Sequence, residues 1–329
     1  GGNRVNGMKQ INLQDYGLNR NFITQSMEYH DLYLARIISQ EKNFYQAVCV
    51  NGVLFAEVSG KLRFEATIQS DFPTVGDFVM LDRCNNKNGN AIIHHVLHRK
   101  SLFVRKAAGK VNEEQVVAAN IDIVFLCMSL NKDFNIHRLE RYLSLTWESG
   151  AIPVVVLTKS DLCDNVHRKL QVVNSIALGV DVVVTSFIEP DGYKQISKYI
   201  KPGCTVALLG SSGVGKSSLI NCLMGGEFLN TKEIRIDDDK GRHATTRREL
   251  FLISGGGIVI DTPGMRELGM WDVSEGLDKS FADIEAYFGK CHFRNCTHTS
   301  EPGCAIWEAI AHQELSPKRW ESYRRLKTE

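Results

Sequence analysis

Hydrophobic residues follow two different patterns in this chain, one before and one after about residue 100. Between Tyr33 and His98 the apolar runs are short and alternating, and Gly and Asn turns separate them. The clearest runs are Tyr45–Val50, Val53–Val58 and Gly76–Leu81. Five strands of this kind would close into a small barrel, so the pattern predicts a small β domain.

From Asp122 onward, apolar strands alternate with helical segments, which is typical of an α/β domain with a mostly parallel sheet. The predicted elements are strand Ile123–Met128, helix Ile136–Glu148, strand Val154–Leu157, helix Val166–Leu178, strand Val182–Val184, strand Thr205–Leu209, helix Ser218–Met224 and strand Ile258–Ile260. A final helix is predicted to begin at Ser316–Pro317, where a capping residue precedes a proline.

Composition adds few constraints to this picture. The 329 residues are enough for two or three domains with their own cores, and 43% of them are hydrophobic. No run of eighteen apolar residues occurs, so no membrane span is expected, and residues 1–7 hold no signal-like apolar region. We therefore expect a cytoplasmic protein. A formal charge of +1 means that any RNA binding must come from local patches.

The segment 210–217 reads GSSGVGKS and satisfies the phosphate-loop pattern G-x-x-x-x-G-K-[ST] in full. Its glycines allow consecutive N–H groups to point at phosphate oxygens, and the following helix adds its N-terminal positive charge. Lys216 would contact the β and γ phosphates, and Ser217 would hold Mg²⁺. The predicted phosphate-binding residues are Gly210, Ser211, Ser212, Gly213, Val214, Gly215, Lys216, Ser217 and Ser218.

Two later segments suit the switch regions of a GTPase. Asp261-Thr262-Pro263-Gly264 ends an apolar strand, where the Asp261 carboxylate can hold a magnesium-bound water and the Gly264 N–H can bond a γ-phosphate. The polar segment before it contains Thr245 and Thr246, either of which has a hydroxyl for Mg²⁺. We favour Thr245.

A base-reading segment, Thr158-Lys159-Ser160-Asp161, follows another predicted strand. Asp161 can accept hydrogen bonds from N1 and N2 of guanine, and the Lys159 stem can cover the base. Thr158 stands where this motif usually has asparagine, so one supporting contact is expected to be shortened or lost. Thr185 and Ser186 end a further strand and resemble the last base-binding element of GTPases. Because this segment precedes the phosphate loop, the sequence indicates a circularly permuted GTPase.

Three of the nine cysteines cluster near the end of the chain. Cys291, Cys296, His298 and Cys304 give C-x₄-C-x-H-x₅-C, which suits a closed, structural, tetrahedral Zn²⁺ site. His292 is a competing nitrogen ligand, although its adjacency to Cys291 would strain joint chelation. The scattered cysteines are interpreted as small buried hydrophobes and not as disulfide partners: Cys49, Cys84, Cys127, Cys163, Cys204 and Cys222.

In this order, the elements resemble the ribosome small subunit-dependent GTPase A family of bacteria, and the likeness covers nearly the whole chain. The resemblance implies a GTPase that binds the small ribosomal subunit and its rRNA late in maturation, and that the subunit stimulates. It implies that the β domain is an OB-fold, and its zinc motif matches the four residues above. We expect an N-terminal extension (1–30), an OB-fold barrel (31–100), a permuted GTPase domain (101–275) and a helical zinc-binding domain (276–329), in a monomer.

The catalytic residue is less evident from the sequence. Met265 stands where many GTPases have a glutamine that orients the attacking water, so a slow intrinsic rate is predicted. His243 matches a histidine in the family's motif and is the candidate for this role, against the alternative of a solvent-facing loop histidine. Full subunit-stimulated turnover after its replacement by alanine would exclude it.

Several interpretations stay open at this point. A basic stretch after the barrel is either a solvated linker or a contact for RNA phosphates, and it comprises His94, His95, His98, Arg99, Lys100, Arg105 and Lys106. Trp320 and Tyr323 in the final helix either pack in a core or stack on bases. The alternative functions are a nucleotide-gated RNA-binding assembly factor, in which hydrolysis only resets the switch, and an unrelated P-loop ATPase or kinase.

Overall fold

The computed structural model describes residues 10–42, 44–106, 114–186, 192–211, 213–225, 248–268, 282–299, 301–317, 320–321 and 323–324. The chain divides into two compact units, one of Gly1–Phe134 with Thr146–Met270 and the other of Asn135–Leu145 with Trp271–Glu329. Among the described helices, none is long and apolar enough to cross a membrane.

The first unit begins with helix α1 (Arg20–Ser26) and a five-stranded barrel, which confirms the predicted small β domain. Its strands are β1 (Tyr33–Gln40), β2 (Tyr45–Cys49), β3 (Gly52–Val58), β4 (Phe78–Leu81) and β5 (Ala91–Val96), with helix α2 (Gly60–Glu65) after β3. Strand β1 pairs with both β2 and β4, and this pairing closes the barrel. Alternate residues point inward, so Ile37, Leu54, Val79 and Ile93 form its core.

A disulfide joins Cys49 and Cys84, and the prediction that both are unpaired was wrong. Cys49 ends β2, and Cys84 follows β4. The closure of the barrel brings their Cα atoms to 6.3 Å across a sequence separation of 35 residues. The sequence does not reveal this proximity, because it depends on which strands become neighbours.

The remaining strands of the first unit are β6 (Leu102–Lys106), β7 (Glu114–Ala119), β8 (Ile123–Ser129), β9 (Ile152–Thr158), β10 (Asp181–Val184), β11 (Thr205–Leu209), β12 (Arg248–Leu252) and β13 (Ile258–Asp261). Strands β6 and β7 form a separate antiparallel hairpin that the sequence analysis did not anticipate. The others follow the spatial order β10-β9-β8-β11-β13-β12. Strands β8, β9, β10, β11 and β13 are parallel. The apolar runs of β8, β9, β11 and β13 are almost wholly buried, as expected for strands covered on both faces, whereas the edge strand β10 buries only Val183.

Helices complete the α/β arrangement and confirm the predicted alternation. Helix α3 (Ile136–Ser149) lies mostly in the second unit, and the helices of the first unit are α4 (Val166–Ile176), α5 (Lys194–Ser197), α6 (Lys216–Met224) and α7 (Pro263–Leu268). Leu219 of α6 packs with Phe125, Val156 and Leu208 of the sheet in one hydrophobic core. This packing fixes the start of α6 at the end of β11.

The barrel and the α/β sheet are continuous, because β1 pairs with β12 as well as with its barrel neighbours. Arg36 of β1 is fully buried beside this junction and donates to the Tyr16 carbonyl at 2.7 Å, the Gly76 carbonyl at 3.0 Å and Thr205 Oγ1 at 2.9 Å. It also donates to the carbonyl of Asn120 at 3.2 Å. Burial lowers the pKa of Arg36 to about 10, and these four hydrogen bonds compensate for its loss of water.

One residue of the basic stretch after the barrel, Arg99, forms a buried ion pair. Arg99 forms a two-pronged ion pair with Asp77, at 2.8 and 2.7 Å, and also donates to the carbonyls of Ser70 and Phe72. The side chain of Asp77 is 0% exposed and that of Arg99 is 14% exposed. Lys100 instead pairs with Asp122 at the surface, where its side chain is 56% exposed. Arg99 is therefore neither a solvated linker residue nor free to bind a phosphate.

We expect Arg99→Met to lower the free energy of unfolding by about 3 to 5 kcal/mol, because it leaves the Asp77 carboxylate buried without a partner. Burial raises the pKa of Asp77, and the hydrogen bonds and charge of Arg99 oppose that rise. Without Arg99 the folded pKa rises further above the unfolded value of about 4, so stability should fall as the pH rises through this interval. Urea unfolding at pH 5 and pH 8 measures both effects.

Lys100→Met is the matched control, because it removes the same charge from the neighbouring exposed pair. Its cost should stay below about 1 kcal/mol at both pH values. Equal losses in the two variants would contradict the assignment of Arg99 to a buried ion pair.

The second unit contains helices α8 (Ala282–Glu285) and α9 (Ala305–Ala311) and the final helical residues. Trp320 N donates to the Ser316 carbonyl at 3.1 Å, as the predicted helix start requires. Trp320 and Tyr323 are buried in one core with Ile284 and Ile306. These two aromatic side chains therefore pack inside the unit, and base stacking is not their role.

Candidate functional site

The predicted nucleotide-binding segments meet at one edge of the sheet. Strands β9, β10, β11 and β13 are parallel members of this sheet, so their carboxyl ends lie on the same side. The segments at these ends are 158–161, 185–186, 210–217 and 261–264. The carboxyl edge of an open α/β sheet is where such folds bind ligands.

The phosphate loop has the backbone that its glycines permit. Gly213 and Gly215 have φ values of +74° and +108°, which side-chain-bearing residues rarely adopt. A Cβ on Gly210 would lie 2.9 Å from the carbonyl oxygen of Cys127, so the loop passes close to β8. Helix α6 begins directly after Gly215, with Ser217 and Ser218 in its first turn. Ser212 lies outside the described residues.

The side chain of Lys216 folds back and bonds to the backbone of the phosphate loop. Its Nζ donates to the carbonyls of Gly210 at 2.6 Å and Ser211 at 2.7 Å. Burial lowers the pKa of this ammonium group, with Asp261 acting in the opposite direction. A desolvated cation inside a loop of backbone N–H groups is suited to bind phosphate.

The base-reading segment is bonded directly to the phosphate loop. Thr158 Oγ1 donates to the Val214 carbonyl at 2.8 Å, and Lys159 Nζ donates to the Gly213 carbonyl at 2.8 Å. Thr158 therefore bonds to the phosphate loop, and the expectation that one supporting contact of the usual asparagine is shortened or lost stays a prediction. Residue 158 ends the buried strand β9 so close to the loop that a hydroxyl reaches it. The sequence cannot show that distance.

Asp161 and Ser186 come together from different strands. Ser186 Oγ donates to Asp161 Oδ1 at 2.6 Å, which orients the carboxylate. Thr185 Oγ1 donates to the carbonyl of Gly192, and the Thr185 carbonyl accepts from Ser160 N at 3.3 Å. A carboxylate has about four acceptor positions, so Asp161 can accept further hydrogen bonds from a bound base.

On the opposite side of the loop, Asp261 ends β13 and pairs with Arg266 of α7. The Nη2–Oδ2 distance is 2.5 Å and the Nε–Oδ1 distance is 3.2 Å. Sequence reasoning missed Arg266, although a basic residue shortly after a DxxG carboxylate was the available signal. Gly264 approaches β7 so closely that a Cβ would lie 2.9 Å from the Val117 methyl groups. Met265 is buried, so its side chain points away from solvent.

The predicted first-switch residues cannot be placed in this site. His243, Thr245 and Thr246 all lie outside the described residues.

The second unit contains the predicted metal cluster. The ligand atoms of Cys291, Cys296, His298 and Cys304 all lie within 4.8 Å of one another. His298 Nδ1 is 3.4 Å from the sulfur atoms of both Cys291 and Cys304. These separations and the three-sulfur, one-nitrogen donor set fit tetrahedral Zn²⁺. The competing residue His292 is outside this set and lies edge-on to Phe293.

Two aromatic residues that the sequence did not single out contact His298 of the predicted metal cluster. The ring of Phe288 stacks on that of His298 at 5.0 Å, and Trp307 Nε1 donates to the His298 carbonyl at 3.2 Å. Such outer contacts fix the orientation of a metal-binding imidazole.

We expect Cys296→Ser to reduce Zn²⁺ affinity by at least about 100-fold, since even the loss of an outer-shell contact costs 10- to 100-fold. Competition with a chromogenic zinc chelator measures this affinity. Cys163→Ser is the matched control, because Cys163 is a free cysteine outside the cluster and its loss should leave zinc binding unchanged. Equal zinc affinity in the two variants would contradict the assigned ligand set.

Comparisons with known proteins find relatives of this chain. The RsgA GTPase family matches residues 96–271. The chain is 44% identical over 319 residues to the small ribosomal subunit biogenesis GTPase RsgA 2 of Lactiplantibacillus plantarum, covering 97% of this chain and 89% of that protein. It is 42% identical over 303 residues to the small ribosomal subunit biogenesis GTPase RsgA of Methanosarcina acetivorans, covering 92% of this chain and 80% of that protein.

Two solved structures are similar in fold. The crystal structure of YjeQ from Thermotoga maritima gives a TM-score of 0.60 at 25% identity and covers 90% of this chain and 97% of that one. The crystal structure of YloQ, described as a circularly permuted GTPase, gives 0.58 at 25% identity and covers 91% and 95%.

Proposed function

Because this chain belongs to the RsgA GTPase family, we propose that it binds and hydrolyses GTP at the described sheet edge in small ribosomal subunit biogenesis. The observation that carries the proposal is the direct bonding between the two halves of the site. Thr158 and Lys159 bond to Val214 and Gly213, so the base-reading segment and the phosphate loop form one rigid cradle. Asp161, which Ser186 orients, would accept hydrogen bonds from the guanine base and so select guanine.

Each half of the cradle has a distinct role in this proposal. The loop N–H groups and Lys216 bind the phosphates, and the Gly264 N–H bonds the γ-phosphate. Ser217 and Thr245 would hold Mg²⁺ and Asp261 would hold a water bound to it, and the ion would neutralise charge that develops on the phosphate oxygens. The donor set fits this ion, because Ser217 and Asp261 line one small cavity and offer the oxygen ligands that Mg²⁺ prefers.

Orientation of the attacking water falls to a residue other than Met265. Its buried thioether has no strong donor or acceptor for a water molecule. We assign the role to His243 from its place in the first switch segment.

The partner that we propose is the small ribosomal subunit with its rRNA, and the protein acts as a cytoplasmic monomer. Relatives of this chain are named for biogenesis of that subunit. In the second unit, the zinc site is proposed to be structural, because four protein ligands leave no open position.

The test is hydrolysis of GTP and of ATP by the purified protein with Mg²⁺, each with and without purified small subunits. We expect strong stimulation of GTP turnover alone, and loss of that stimulation in His243→Ala. Equal use of ATP, or no response to the subunit, would contradict the proposed substrate or partner.

A further inference from the structure

The ion pair between Asp261 and Arg266 engages both oxygens of the proposed magnesium carboxylate. Arg266 reaches back from α7 across the turn 262–265. Two bonds reinforce this turn, from Met265 N to Thr262 Oγ1 at 3.0 Å and from Arg266 N to the Thr262 carbonyl at 3.3 Å. The guanidinium therefore links the turn 262–265, the proposed second switch, to the end of β13.

A magnesium ion and this guanidinium require the same carboxylate. The Arg266 side chain lines the same small cavity as Lys216, Ser217 and Asp261, the proposed site of the ion. A hydrated Mg²⁺ donates water protons to a carboxylate at its site, and a side-on guanidinium fills the same acceptor positions. Two cations at one small carboxylate also repel each other, which strengthens the competition.

We propose that Arg266 competes with Mg²⁺ for Asp261 and so sets the Mg²⁺ concentration at which the protein retains its nucleotide. Binding of the ion would release the guanidinium from Asp261, and the turn 262–265 would lose this link to the end of β13. Arg266 is thus a positioning residue that makes the shape of the second switch depend on metal loading. This inference rests on the proposed function, because it takes guanine nucleotide and Mg²⁺ as the ligands of the site.

The experiment follows dissociation of a fluorescent GDP analogue over a range of free Mg²⁺ concentrations. In Arg266→Ala the concentration for half-maximal retention should fall about two- to fivefold, the range expected for a partly exposed ion pair. Affinity for the analogue in excess EDTA should stay within about twofold of wild type, because the competition involves the metal. Arg266→Gln, which keeps a longer side chain, should give the same shift and replaces the alanine variant should that variant unfold.

Arg83→Ala is the matched control. Arg83 pairs with Asp82 on the barrel at 2.6 Å, with side chains 31% and 25% exposed, against 30% and 17% for Arg266 and Asp261. The Arg83→Ala variant removes the same charge from a similar pair outside the nucleotide site. Its Mg²⁺ concentration for half-maximal retention of the nucleotide should therefore equal that of wild type.

A double-substitution cycle locates the effect. In an Asp261→Asn background, adding Arg266→Ala should change the half-maximal Mg²⁺ concentration by less than about twofold, since the contested carboxylate is gone. An unchanged or raised concentration in Arg266→Ala, or an equal shift in the Asp261→Asn background, overturns the competition and leaves the proposed function intact. Failure of the wild-type protein to bind the GDP analogue at all overturns both.

Discussion

Asp161→Asn should weaken GTP binding by about 100- to 10,000-fold, because it replaces two charge-assisted acceptors of guanine N1–H and N2–H with an amide. Ser186 already orients the carboxylate with a hydrogen bond of 2.6 Å, so the native group meets the base with little loss of side-chain freedom. The amide nitrogen would face the donors of guanine with its own protons. Calorimetric titration of GTP and of xanthosine triphosphate measures the change.

Binding of xanthosine triphosphate should improve in the same variant, since xanthine offers a carbonyl where guanine has its amino group, and an amide N–H can donate to it. Asp164→Asn, three residues further along the chain, removes the same charge and should bind GTP like the wild-type protein. An unchanged ratio between the two nucleotides would show that Asp161 does not read the base.

Lys216→Ala should lower the subunit-stimulated rate of GTP hydrolysis by about 100- to 1000-fold or more, the loss typical for removal of one group that stabilises transition-state charge. The substitution has a second effect in this protein. Lys216 Nζ bonds to the carbonyls of Gly210 and Ser211, so its loss also removes two contacts that shape the loop. Single-turnover hydrolysis with saturating subunits measures the rate of the chemical step.

Lys216→Met keeps most of the apolar stem and lacks both the charge and the hydrogen bonds, so any rate that it recovers over Lys216→Ala comes from packing of the stem. Lys198→Ala is the charge control, since Lys198 lies near the amino ends of the strands, at the opposite edge of the sheet. Its turnover should match wild type. Wild-type turnover in Lys216→Ala would refute the assigned phosphate site.

The sequence predicts those parts of the fold that depend on neighbouring residues. The strands before the phosphate loop are continuous apolar runs, and α6 begins where the glycine loop ends, so both follow from local pattern. The hairpin of β6 and β7 was missed, because its first strand carries Arg105 and Lys106 and was interpreted as part of a basic stretch, either a solvated linker or a contact for RNA phosphates.

The contacts that the sequence does not reveal are those made between distant segments. The pairing of Arg99 with Asp77, the disulfide of Cys49 with Cys84 and the bond from Thr158 to Val214 each depend on the three-dimensional path of the chain. The residue types of the nucleotide site were therefore predictable from motifs. Which partner each side chain contacts was not.

The strand β1 belongs to both the barrel and the α/β sheet, and this limits how the protein can be divided. Strand β12 meets β1 at Ser39 and Gln40, and Arg248 bonds to the Gln40 side chain. Removing the barrel would leave β12 with an open edge, which invites association with other chains. The barrel therefore cannot be replaced simply by fusing an unrelated domain to the nucleotide domain. A barrel from another protein would have to carry a matching outer strand, so the barrel and the nucleotide domain are constrained to evolve together.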